Sequence, residues 1–216
     1  MSVTCIIPAR GGSKGLPRKN VLPVNGKPLI SYTIIQALES CIDNVYVTTD
    51  DEEIANVSSE YGANIITRPK ELAEDTTTTE QTLTHALQQI EITRQVDIVV
   101  YLSCTQPYRD INWINTCVDK VRYDDYDSAC VGYKTTKNYW RPTKENHYKV
   151  WWRKYSSRQE REYILQENTG AACAVNSNII RRGERIGDST YILETDRYNV
   201  DIHETTDLQI AEIFLK

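Results

Sequence analysis

A chain of 216 residues is long enough for one α/β domain with a real core and cramped for two. Its formal net charge of -5 argues against a nucleic-acid binder, whose surface needs a basic excess, and its six cysteines, scattered without C-x-x-C or Cys/His spacing, read as reduced core thiols of a cytoplasmic protein. No run of about eighteen apolar residues and no signal-like segment is visible, so neither membrane spanning nor secretion is expected.

In chain order, residues 3–7 (VTCII) form a continuous apolar run, the pattern of a parallel strand buried on both faces. Pro8 ends it and a glycine- and cation-rich loop follows. Pro28 then opens a helix in which Leu29, Ile30, Thr33, Ile34, Ala37 and Leu38 recur at helical spacing as far as Cys41. Residues 44–48 predict a second strand, leading into a helix with Asp51, Glu52 and Glu53 in its first turn, where carboxylates suit the positive helix end. A third strand over 63–67 ends at Arg68-Pro69. The loop KELAEDTTTTE then opens a helix from about Thr79, since threonines are poor in a helix interior and good at its start.

Residues 97–103 predict another buried strand, followed by the loop CTQPYRD and a helix containing Trp113, Ile114, Cys117, Val118 and Val121. This alternation predicts an α/β fold, a Rossmann-like doubly wound and mostly parallel sheet, in which ligands bind beyond the carboxyl ends of the strands. One rim would then carry Arg10 to Asn20, Asp50, Arg68 and Ser103 to Arg109. After a strand at 129–133 the pattern changes. Residues 134–163 are polar and aromatic, with Tyr139, Trp140, Tyr148, Trp151, Trp152 and Tyr155, and read as a β-rich excursion outside the main sheet. A strand at 171–175, a short helix at 178–182, a brief strand at 191–193 and a helix at 205–215 complete the chain.

The loop after the first strand places Gly11, Gly12 and Gly15 among Arg10, Lys14, Arg18 and Lys19, with Lys27 following. Glycine lets backbone N–H groups approach phosphate oxygens while cations neutralise them, so a phosphate loop is predicted. Neither G-x-x-x-x-G-K-[ST] nor G-x-G-x-x-G matches GGSKG, and a third kind of nucleotide loop is required. The run PARGGSKGLPRKN, together with GKPLISYTI, TTDDEEIA and RPKELAEDTTTT, resembles the acylneuraminate cytidylyltransferase family, whose members activate sugar acids as CMP conjugates. The likeness runs from about Val3 to Arg109 and returns at Arg158 and at NVDIHETTDLQIAE.

The resemblance implies that the anomeric hydroxyl of a sugar acid attacks the α-phosphorus of CTP and pyrophosphate leaves, with Mg2+ or Mn2+ neutralising the triphosphate. It carries nucleotide-binding roles to Arg10, Gly12, Ser13, Lys14, Lys19, Asn20, Arg68 and Thr79. Acceptor-binding roles fall on Ser103, Arg109, Arg158 and Gln159, and metal binding on Asp201 and His203. Arg10, Lys14, Lys19 and Asp201 form the implied catalytic set. Arg109 either grips the acceptor carboxylate or is structural. No Ser/His/Asp or Cys/His nucleophilic set is required, and none is evident.

Two departures from the family pattern stand out. LSCTQPYR has Ser103 where the family's LQPTSPLR has the glutamine that meets the sugar, and DIH has His203 in place of the second carboxylate of a D-I-D metal pair. An imidazole is a poorer Mg2+ ligand than a carboxylate, so Asp201 is the expected principal ligand. His203 would reach the ion through water, favour Mn2+, or be an ordinary loop residue.

The resemblance also implies that residues 134–165 pack against a second copy and lend Arg158 to its site. That gives one nucleotidyltransferase domain over 1–216 with a dimerisation excursion, working as a homodimer on CTP and a sugar acid for surface glycan biosynthesis, without nucleic acid or membrane partners. Neuraminic, pseudaminic and legionaminic acids are all admissible acceptors. Another acidic acceptor, a purine triphosphate, or a non-catalytic nucleotide-binding homologue remain as alternatives, because the loop alone does not identify the base.

Overall fold

The computed structural model describes residues 1–145, 147–151, 154–197 and 200–215; Trp152 of the aromatic excursion and Asn199 of the terminal motif lie outside the described residues. The expected α/β fold is found. β1 (Val3–Pro8), β4 (Asn44–Thr49), β5 (Asn64–Thr67) and β6 (Ile98–Tyr101) are parallel neighbours, while the short β2 (Pro23–Val24) and β3 (Lys27–Pro28) pair with each other inside the first loop. The connecting helices are α1 (Leu29–Leu38), α2 (Glu52–Glu60), α3 (Thr79–Glu91) and α4 (Ile111–Tyr123).

Why the strands read as unbroken apolar runs is plain from their two faces. Val3, Cys5 and Ile7 of β1 pack with Ile30 and Ile34 of α1, Ile54 of α2 and Ile114 and Val118 of α4. Ile6, between them, faces Leu83, Leu87 and Ile90 of α3. Both faces are covered, so alternation has no polar side to show. Ile6 and Ile7 are fully buried, and each burial contributes roughly 1.5–3 kcal/mol. The helix starts are equally local in origin. Asp51 caps α2 by accepting the Ile54 N–H at 3.0 Å, and Thr78 with Gln81 forms a reciprocal capping box for α3.

The second half of the sheet departs from simple alternation. β7 (Ser128–Thr135) is lined along one edge by the antiparallel β10 (Ile164–Glu167) and β11 (Cys173–Asn176), and β11 in turn runs antiparallel to β6. The parallel β12 (Thr190–Thr195) takes the other edge of β7, and α5 (Ser177–Arg181) packs on the α3 face. The expected excursion is thus narrower than 134–163. Lys134 and Thr135 still belong to β7, Ile164 re-enters the main sheet, and only the hairpin of β8 (Trp140–Lys144) and β9 (His147–Val150) forms a separate sheet. The terminal helix α6 (Thr205–Phe214) leans on the first loop through a small cluster of Leu16, Val24, Leu29, Val200, Ile202 and Ala211. Among the described residues no helix is long and apolar enough to cross a membrane.

Candidate active site

Beyond the carboxyl ends of β1, β4, β5 and β6 the first loop spreads over the sheet. The Gly11 N–H donates to Asp50 Oδ1 at 3.0 Å, which ties the loop to the end of β4. Gly12 faces open space, as an approach to phosphate would need, whereas Gly15 presses on the protein: a Cβ there would lie 2.4 Å from the His203 carbonyl oxygen. Lys19 adds a second tie, its Nζ donating to the Ile202 carbonyl at 2.7 Å. The segment carrying Asp201 and His203 is also held by Ile202 N–H donating to the Thr105 carbonyl at 2.8 Å. Residues separated by 183 positions, Lys19 and Ile202, thereby become neighbours.

Three cavities open along this rim. One of about 230 Å³ is lined by Arg10, Arg68, Asp75, Thr78, Thr79 and Tyr101 among others. Arg10 is shared with a second, of about 310 Å³, bordered by Gly12, Ser13, Lys14 and Asp75. The third, of about 380 Å³, lies beyond the Asp201 segment and is walled by Gln106, Tyr133, Gln166, Asn168, Asp201 and His203, with Glu167 and Asp207.

Arg10 and Lys14 are held by a residue to which the sequence assigns no role. Asp75 bridges them: Arg10 Nη2 lies 2.8 Å from Asp75 Oδ1, and Lys14 Nζ pairs with Asp75 Oδ2. Arg10 also donates to the Ala73 carbonyl at 3.2 Å. Lys14 and then Arg10 hold the Asp75 carboxyl below the usual range, so it is an anion where a phosphate would bring its own charge. The acidic run around Asp75 gave the only signal in the sequence. Arg68 is 5% exposed, donates to the Thr48 carbonyl at 2.5 Å, and is pushed down to about 10 by burial, which leaves it cationic at neutral pH.

Three residues of the loop and its surroundings are engaged inside the protein. Asn20 is buried, with Nδ2 donating to the Arg10 carbonyl at 3.0 Å and Oδ1 accepting from the Cys104 thiol at 3.0 Å, so its amide helps to shape the loop. Arg18, counted among the loop cations, adopts the left-handed φ of 58° and is paired with Asp51 and Glu53. Arg109 is 6% exposed and spends every N–H of its guanidinium inside the protein. Nε donates to the Ala171 carbonyl at 2.8 Å, Nη1 to Thr33 Oγ1 and Gln36 Oε1 at 2.9 Å each, and Nη2 to the Ser103 and Gly170 carbonyls at 2.6 and 3.3 Å. Of the two readings of Arg109 the geometry selects the structural one, since no donor is left for a substrate carboxylate.

Ser103 turns its hydroxyl to Thr105 Oγ1 at 2.8 Å. Arg158 and Gln159 lie on an exposed turn of the excursion, Arg158–Glu160, and line none of the three cavities described. His203 Nε2 is 3.3 Å from Asp201 Oδ2, and Gln106 Nε2 donates to the same oxygen at 3.3 Å, while Asp201 Oδ1 is buried with no partner. Burial raises the Cys104 thiol to about 11, which removes it as a nucleophile beside the loop. The arrangement therefore offers cations, backbone amides and a carboxylate, and it suits charge stabilisation without covalent catalysis.

A family model for cytidylyltransferases matches residues 4–197. Among curated proteins, a pseudaminic acid cytidylyltransferase of Campylobacter jejuni subsp. jejuni serotype O:23/36 (strain 81-176) is 40% identical over 123 residues, 56% of this chain and 53% of that protein. A CMP-N,N'-diacetyllegionaminic acid synthase of Legionella pneumophila subsp. pneumophila is 40% identical over 124 residues, 55% and 53% of the two chains. An N-acylneuraminate cytidylyltransferase of Escherichia coli O18:K1:H7 is 42% identical over 109 residues, 50% of this chain and 25% of that protein. The chain thus spans about half the length of the first two relatives and a quarter of the third. A solved structure of CMP:2-keto-3-deoxy-manno-octonic acid synthetase complexed with CTP matches 100% of this chain and 98% of that one with a TM-score of 0.77 at 17% identity, a likeness of fold. With the family model covering nearly the whole chain, the protein belongs to the cytidylyltransferase family.

Proposed function

We propose that the protein transfers the cytidylyl group of CTP to a nonulosonic acid and releases pyrophosphate. The observation that carries this reading is the glycine loop of a cytidylyltransferase chain, with Arg10, Lys14 and Arg68 lining adjoining cavities and Gly15 and Lys19 of the same loop against the Asp201 segment. Relatives named for pseudaminic, neuraminic and legionaminic acids support the acceptor class.

In this reading Arg68 and the start of α3, with Thr79, receive the nucleoside, because a buried guanidinium offers paired donors to ring acceptors. Arg10 and Lys14 exchange Asp75 for phosphate oxygens and stabilise the charge that grows on the leaving pyrophosphate. Gly12 and Ser13 supply the open backbone at that point. Lys19 keeps the loop fastened to the Asp201 segment.

A divalent cation fits Asp201, whose buried Oδ1 is a carboxylate oxygen without a partner among the described residues. Among the described residues no group of three or more His, Cys, Asp or Glu side chains could hold a metal by itself, so a cation at Asp201 would need further ligands from the substrate and water. Bound there, Mg2+ or Mn2+ would neutralise the triphosphate and polarise its α-phosphorus.

The 380 Å³ cavity takes the acceptor in this reading. Its amides and Tyr133 suit a polyhydroxylated ligand, yet its described lining residues include three carboxylates and no Lys or Arg. A sugar carboxylate needs a cation from elsewhere, and with Arg109 committed inside the fold that supports Arg158 of a second copy and hence a homodimer. The six free thiols support a reducing, cytoplasmic setting. Pyrophosphate release should be followed with CTP, UTP, ATP and GTP against a panel of nonulosonic acids. Release with CTP and at least one acid is expected. No release with CTP and any acid would overturn the assignment.

A further inference from the structure

Gln106 is 7% exposed, uncommon for an amide side chain, and its Nε2 lies 3.3 Å from Oδ2 of Asp201, 95 positions away. Its amide rests face-on against Gly170. A Cβ at that position would lie 3.0 Å from Gln106 Cδ and Nε2 and 3.1 Å from Oε1, tighter than ordinary packing, so an alanine at 170 shifts the amide by a few tenths of an ångström and lengthens its already long bond to Asp201. Gly170 is itself fixed, because its carbonyl accepts from Ser103 N–H at 2.9 Å and from Arg109 Nη2 at 3.3 Å. Arg109 is anchored by its other bonds to Thr33, Gln36, Ser103 and Ala171. A continuous line of contacts therefore runs from the buried guanidinium, through the Gly170 backbone and the Gln106 amide, to one oxygen of Asp201.

We propose that Gln106 is the positioning residue of Asp201: it holds Oδ2 and thereby presents the partnerless Oδ1 to the divalent cation. The inference rests on the metal reading given above. An amide is suited to the task because it donates to the carboxylate without neutralising it, whereas a Lys at 106 would compete with the cation and a Glu would repel the anion. His203 Nε2, also 3.3 Å from Oδ2, is 71% exposed at its side chain and lacks a comparable anchor. Without Gln106 the carboxylate would turn about its Cβ–Cγ bond and lose the orientation that a metal ligand needs. Hydrogen-bond partners behind a metal ligand typically govern metal affinity by about 10–100-fold.

The test uses the full chain with Mn2+ and CTP in the absence of acceptor, so that no turnover occurs. Calorimetry gives the factor by which saturating Mn2+ tightens CTP binding, for the wild type and for Gln106→Met, Gly170→Ala and Asp201→Asn. Gln106→Met keeps side-chain length and removes the donor; Gly170→Ala leaves Gln106 in sequence but pushes its amide away. Both should lower the factor at least tenfold, by the same rule for metal-supporting partners, with CTP affinity in the absence of metal within about twofold of wild type. Thermal unfolding of each variant separates this from a packing role, which would lower the Tm and leave the factor unchanged. If Gln106→Met fails to fold, Gly170→Ala decides by the same criterion. Loss of the factor in Asp201→Asn with retention in Gln106→Met or Gly170→Ala overturns the strut and leaves the metal ligand standing. Retention in Asp201→Asn overturns the metal reading and the strut with it.

Discussion

Arg109→Lys separates a buried anchor from a substrate clamp, because it keeps the charge and changes only the donor geometry. The guanidinium makes five bonds, to Thr33, Gln36, Ser103, Gly170 and Ala171, and an ammonium has three donors, so at least two of these five bonds are lost. A hydrogen bond to a charged group contributes about 1.5–3 kcal/mol, which gives roughly 3 kcal/mol for the substitution. A chain of this size loses about 2–4 °C of Tm per kcal/mol, so calorimetry should find the variant melting about 6–12 °C lower. The remaining folded protein, assayed well below that transition, should keep its acceptor KM within about threefold while kcat falls, since the strut to Asp201 is loosened. An unchanged Tm with an acceptor KM raised tenfold or more would refute the structural reading and return Arg109 to the substrate.

Other consequences follow from the same geometry. Arg10→Ala and Lys14→Ala should each lower kcat/KM for CTP on the order of 100-fold, the loss typical of one electrostatic donor to a developing charge, with circular dichroism unchanged. Asp75→Asn should lower the KM for CTP by about threefold, because the carboxylate competes with phosphate for Arg10 and Lys14 but does so on an exposed surface where pairing is weak; a raised KM would show that Asp75 helps to build the loop instead. Light scattering at micromolar concentration should give a dimer that dissociates when Trp140 and Trp151, 54% and 53% exposed on the hairpin segment, are both replaced by serine, and a monomer with full wild-type activity would exclude the cross-subunit role of Arg158.

The first half of the fold was legible because β1, β4 and β6 are buried on both faces and appear as largely apolar runs, with turn chemistry at either end. β10 was hidden for the opposite reason: ILQE is short and half-exposed, and its place is set by pairing with Gly132–Thr135 far earlier in the chain, not by a local pattern. The same holds for the site. GGSKG with its cations is contiguous, so spacing could announce it. The acceptors of Arg109 come from three separated stretches, Thr33 and Gln36, Ser103, and Gly170 with Ala171, and Gln106 reaches Asp201 across 95 residues; no local motif encodes such meetings. Asp75 was within view in an acidic run, but only proximity to Arg10 and Lys14 gives it meaning.

Cytidylyl transfer is tested most directly by following the phosphorus resonances of CTP during incubation of the protein with Mg2+ and a nonulosonic acid. The three CTP signals should decay together, replaced in equal amounts by pyrophosphate and by one phosphodiester signal of a CMP-linked sugar, only when the acid is present. Persistence of CTP with every acid, or its conversion to CDP and inorganic phosphate, would contradict it.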